Sequence, residues 1–172
     1  ISMQFNNIPF NFSQKRLSSA SQNGLKVFSN YISQRKCNEL DEIIIQSIQL
    51  FGSAISNWDL HLRCVNLITI LESVFLKDDE DRGMEHKVKA RLSKLLSNQQ
   101  NEKERIKSIV ANIYEVRHKM IHKAIRIKID YKELSEAQKI MINLFLRLIQ
   151  HYVVLGFTDK ARLIEKLNEI KS

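Results

Sequence analysis

The chain has 172 residues, 44% of them apolar and 27% charged, with a formal net charge of +8. Four glycines and one proline are too few for the tight turns of a β-rich fold of this size, whereas abundant Leu, Ile, Lys, Glu and Gln favour helices. No apolar run approaches the ~20 residues that cross a bilayer, and no basic-then-apolar leader opens the chain.

Such a length favours one domain, and it is sufficient to bury a core without disulfides or metals. The chain begins with Ile, as expected of a piece of a longer protein or of a trimmed or processed chain. Residues 1–33 are rich in Asn, Ser, Gln and Phe, hold the only proline and show no sustained period. They read as an extended arm, or the tail of a preceding domain, with room for a short strand. Residues 34–172 read as the helical domain.

A helix is expected from about Ser33 to Ser56, striped by Leu40, Ile43, Ile44, Ser47, Ile48 and Phe51. Asn57 is the expected cap of the next, with Asp59 in its first turn. That helix, about 58–76, is apolar on most sides and so reads as central. Residues 77–83 form a charged, solvated break. Helices over about 84–97 and from about 101 to at least His118 follow. Ile125 to Ile129 alternates apolar and basic residues, as a short extended segment does. Asp130 with Glu133 then resembles a capping box opening a helix to about Gly156. Thr158 is the expected cap of a last helix reaching Lys171. Cys37 and Cys64 lie far from any CxxC spacing and read as buried thiols of a cytoplasmic protein.

The informative anomaly lies in the fourth of these helices. Ile106, Ile109, Val110, Ile113, Tyr114, Val116, Met120 and Ile121 make one apolar stripe, and Arg117 falls near its centre. A guanidinium there must meet a carboxylate, another subunit or a bound anion, and Glu72 on the central helix is the obvious carboxylate. The other reading is a phosphate-binding arginine, because its planar fork matches phosphate oxygens. His118 and His122 have the i, i+4 spacing of a helical metal pair. No HExxH motif or acidic cluster completes such a site, so no metal and no cofactor are expected. Between Arg117 and Lys132 the basic residues Arg117, Lys119, Lys123, Arg126, Lys128 and Lys132 face a single Asp130. This local patch is a better nucleic-acid signal than the net charge. Trp58 and Tyr114 can stack on bases, although core or interface roles are commoner for such aromatics.

Tyr114-Glu115-Val116-Arg117-His118-Lys119-Met120-Ile121-His122 resembles the Arg-x4-His signature of the HEPN superfamily, in the form found in ApeA-like domains. Two upstream segments are similar as well. Leu67 to Phe75, with its embedded Leu71-Glu72, resembles that group's apolar helix, and His86 to Leu96 resembles its second helix with a central Arg91. The likeness covers about Asp59 to Lys123. Many family members place Gly directly after the His, where this chain has Lys123.

The resemblance implies an all-α bundle of about five to six helices that pairs as a two-fold homodimer. It also implies a metal-independent endoribonuclease, with Arg117 and His122 of both subunits lining the dimer cleft. His118, Glu72 and Tyr114 would support them, and Lys119, Lys123, Arg126 and Lys128 would hold RNA. Several family members serve in toxin–antitoxin or phage-defence systems, so an antitoxin or further domains are possible partners. Other members have lost activity and bind RNA, nucleotides or proteins, so fold alone does not fix function.

Histidine suits the proton steps of RNA cleavage because an ordinary imidazole titrates near neutral pH. In an unbroken helix, however, Arg117 and His122 point about 140° apart. Either the helix ends or distorts near Lys119, or the two residues serve sites on different subunits. A regular helix through Lys123, with His122 in solvent and Arg117 paired only to Glu72, weighs heavily against an enzyme. Dispersal of the basic residues over separate faces would favour a helical interaction domain with no nucleic-acid role.

Overall fold

The computed structural model describes residues 18–19, 21–34, 37–153 and 155–170. The chain divides into two compact units, 1–34 and 35–172. In the first, a π-helical turn, Ser21–Leu25, leads into α1, Lys26–Gln34. The expectation of an extended arm is therefore corrected over 21–33. Its residues 1–17, and any short strand there, lie outside the described residues.

The second unit is an all-α bundle of α2 (Glu39–Ser56), α3 (Leu60–Phe75), α4 (Met84–Leu96), α5 (Gln100–Lys123), α6 (Tyr131–Arg147) and α7 (Lys160–Glu169). A π-helical turn, Leu148–Val153, continues α6. No strand occurs among the described residues, and no described helix is long and apolar enough to cross a membrane.

The capping residues show why the helices start where they do. Asn38 accepts from the Asp41 N–H at 2.9 Å, Asp130 from Lys132 at 2.8 Å and Asp159 from Arg162 at 2.9 Å. Asp59, rather than Asn57, caps α3, taking the His61 N–H at 2.9 Å. Asn57 instead accepts from the Asp59 N–H. Likewise Asp159 replaces Thr158 as the cap of α7. Glu133 does not close a capping box; it accepts from the Asn112 amide at 2.8 Å. The backbone enters α4 through Gly83 at φ 65°, a left-handed turn that glycine adopts without strain.

α3 packs against α2, α4 and α5, and Cys64, Leu67, Ile68, Ile70, Leu71, Val74 and Phe75 are all buried on it. It is the central helix the apolar pattern predicts. Each of these Leu, Ile, Val and Phe side chains contributes about 1.5–3 kcal/mol by leaving water. Phe51 of α2 meets Phe145 of α6 edge to face at 5.7 Å. The Cys64 thiol is pushed up to about 12 by burial. Cys37, read from the sequence as buried, is exposed.

The charged break between α3 and α4 is not uniformly solvated. Arg91, buried on α4, donates Nη1 and Nη2 to the two Glu80 oxygens at 2.5 and 2.7 Å, and also to the Phe75 carbonyl. The fork holds the Glu80 carboxyl down at about 2.

Candidate functional site

α5 is regular through Lys123, so of the two alternatives the sequence leaves open, a break near Lys119 does not occur. It ends where Ala124 turns left-handed at φ 52°, with the Ile125 N–H returning to the Lys119 carbonyl at 3.0 Å. Helix α5 outlasts the core beneath it. Ile106, Val110, Ile113, Tyr114 and Val116 are buried, but nothing beyond Val116 on this helix is. Met120 is only half-buried and Ile121 is 54% exposed, so the apolar stripe ceases to be a core stripe in the last two turns.

Arg117 stands at that transition. Its side chain keeps 27% of its surface in solvent rather than lying in the core, and Nη2 donates to Glu72 Oε2 at 3.4 Å. The Tyr114 hydroxyl donates to the other Glu72 oxygen at 3.3 Å. Burial and the Glu72 charge both push the Tyr114 phenol up, so it stays a neutral donor. Glu72, Tyr114 and Arg117 thus form one polar cluster between α3 and α5.

Arg117 also lines an open groove of about 740 Å³ between α5 and the start of α4. From α5 the groove takes Tyr114, Arg117, His118 and His122. The His118 and His122 rings lie 5.0 Å apart, tilted by 44°. Around the helix His118 falls between Arg117 and His122, so Arg117 and His122 stand at opposite margins of one groove. The opposite wall brings Asp81, Glu85, His86 and Lys89, none of which the motif pointed to. Three carboxylates, Asp81, Glu85 and Glu115, face two cations, Lys89 and Arg117. The groove is therefore at −1 with its three imidazoles neutral and +2 with all of them protonated. Lys89 pairs with Glu85 at 2.6 Å.

The expected RNA-holding residues do not join this groove. Lys119 turns to Glu115 at 2.6 Å and Lys123 is exposed at the helix end. Arg126 reaches across to Asp59 at 2.8 Å, and Lys128 lines a different cleft, beside Ile127, Asp130 and Glu133. The basic run is thus spread over separate faces, an arrangement that favours the interaction-domain reading. Trp58 is no core aromatic: it is 88% exposed. Among the described residues no group of three or more His, Cys, Asp or Glu is placed to hold a metal ion.

One chain therefore presents an arginine held by a carboxylate, with two histidines beside it in solvent. The arginine can take a phosphate oxygen and the imidazoles can exchange protons. It does not bring His122 to Arg117 as a closed catalytic pair. Comparison with family models, with curated proteins and with solved structures finds no match to this chain.

Proposed function

We propose that this chain is a HEPN-type domain in which the groove of Arg117, His118 and His122 is half of a metal-independent RNA-cleaving centre, completed by a second copy. The observation that supports this most is the shared groove. A half-buried guanidinium, oriented by Glu72, opens onto the same space as two exposed imidazoles. Because the unbroken α5 does not bring Arg117 and His122 together within one chain, this reading requires the two-copy arrangement.

In that arrangement one His122 takes the proton of the RNA 2′-hydroxyl as its oxygen attacks the adjacent phosphorus. The other protonates the departing 5′-oxygen, and Arg117 stabilises the charge that grows on the phosphoryl oxygens. The products are a 2′,3′-cyclic phosphate and a 5′-hydroxyl. RNA and a second copy are the partners this reading requires. The protein would then be cytoplasmic, and an antitoxin or neighbouring domains would restrain it in a toxin or phage-defence role.

Two observations favour a second reading, a non-catalytic module that binds RNA, nucleotide or a partner protein. His122 is in solvent on a helix that stays regular through Lys123, and the Arg117 charge is already met by Glu72, the combination that weighs against an enzyme. Cleavage of mixed cellular RNA in EDTA separates the two, comparing wild type with His122→Ala and Arg117→Ala. Cutting that both substitutions abolish, in folded dimeric protein, supports the enzyme. Binding without cutting by a folded wild-type dimer supports the module.

A further inference from the structure

Trp58 is the only tryptophan of the chain, and it stands 88% exposed between α2 and α3. It sits on a fixed turn. The Asn57 side chain accepts from the Asp59 N–H at 2.9 Å, and Asp59 accepts from the His61 N–H at 2.9 Å as the cap of α3. A large ring held in water by a rigid turn is available for a flat partner.

Guanidinium groups are anchored at both neighbours of this residue. Arg63 Nε donates to the Asn57 carbonyl, and Arg126 Nη2 donates to Asp59 Oδ2 at 2.8 Å. Arg126 keeps 59% of its side chain in solvent, so much of its donor fork stays open. Asp59, the one carboxylate at this turn, is 7% exposed and occupied by the helix cap and by Arg126. His61 Nε2 lies 2.9 Å from the Ile127 carbonyl, which pins the segment carrying Arg126 and Lys128 beside the turn.

We propose that Trp58 is a stacking platform for a base of single-stranded RNA, with Arg63 and Arg126 meeting the flanking phosphates. Resting on the reading of the chain as an RNA-binding domain, this extends that site. Charge complementarity selects the occupant: an exposed aromatic whose two chain neighbours each hold an arginine suits a polyanion that carries flat bases. At 1.5 Å per residue, α3 separates residue 59 from residue 72 by about 20 Å. Trp58 and the Arg117 groove are thus two separate points of contact. Arg126, which does not enter the Arg117 groove, gains a role at this second point.

The sole tryptophan reports directly. A short single-stranded RNA, 2′-O-methylated so that no 2′-hydroxyl can attack, is titrated into the protein while Trp58 fluorescence is read. An abasic oligonucleotide of the same length is the control. Affinity is measured in parallel by anisotropy for wild type, Trp58→Phe, Trp58→Ala and Arg117→Ala. The RNA should quench Trp58 and the abasic strand should not. Trp58→Ala should lose roughly 5- to 150-fold in affinity, and Trp58→Phe should retain most of it.

Binding that leaves the fluorescence unchanged, or survives Trp58→Ala at full strength while Arg117→Ala weakens it, overturns the platform and leaves the proposed function standing. Absence of any RNA binding by wild type removes both. Fluorescence that shifts with protein concentration, without RNA, overturns the platform in favour of self-association at this face.

Discussion

The guanidinium of Arg117 on α5 stands 3.4 Å from the Glu72 carboxylate on α3, and the Tyr114 hydroxyl holds the other carboxylate oxygen at 3.3 Å. The pair is neither buried nor free, with side chains 27% and 18% exposed. Partial exposure limits what it adds to stability, because water still screens both charges. Arg117→Ala should therefore lower the unfolding free energy by only about 1 kcal/mol and leave the helix content intact, read by urea denaturation with circular dichroism. A loss above about 4 kcal/mol would make Arg117 a structural residue first.

Ala124 ends α5 at φ 52°, where a Cβ is strained and glycine is not. Ala124→Gly should raise stability by about 0.5–1 kcal/mol, measured by the same denaturation. No gain would mean that the added freedom of the unfolded chain offsets the relieved strain.

The Arg91 fork holds Glu80 at about 2, below its ordinary 4.5. The folded value is depressed, so the stabilisation is complete above about pH 4.5 and is lost as pH falls through about 2. The shift corresponds to something on the order of 3 kcal/mol. Glu80→Gln should cost about that much at pH 7, and the gap to wild type should close towards pH 2 in thermal unfolding. A gap constant across that window would show that the carboxylate charge is not what Arg91 needs.

Cys64 is buried on α3 with its thiol pushed up to about 12, whereas Cys37 is exposed. Native protein at pH 8 should take up one equivalent of a thiol reagent, on Cys37, and a second only on unfolding. Rapid labelling of Cys64 in native buffer would show that α3 opens locally.

Much of the bundle is legible in the sequence, since Cys64, Leu67, Ile68, Leu71 and Val74 repeat at helical spacing and all lie buried. α1 is not, because Val27, Phe28 and Tyr31 make too short a stripe among Ser and Asn residues. The start of α3 is offset because Asn57 and Asp59 are both good caps, and only the turn geometry assigns the cap to Asp59. The end of α5 is legible only as lying at His118 or beyond; the alternation at Ile125 to Ile129 does mark non-helical chain, but no sequence pattern points to the left-handed Ala124 that stops the helix. Glu72 as the partner of Arg117 is legible as a need for charge. The opposite wall, Glu85, His86 and Lys89, is not, since it exists only through the long-range packing of α4 on α5. No sequence pattern marks Trp58 as exposed.

The most direct test of the central claim uses one single-stranded sequence in two forms, ribonucleotide and deoxyribonucleotide, each incubated with the wild type in EDTA. Attack by the 2′-hydroxyl requires that the RNA be cut to 2′,3′-cyclic phosphate ends and that the DNA remain whole. Intact RNA in the presence of folded, dimeric protein, or equal cutting of both strands, would contradict the account.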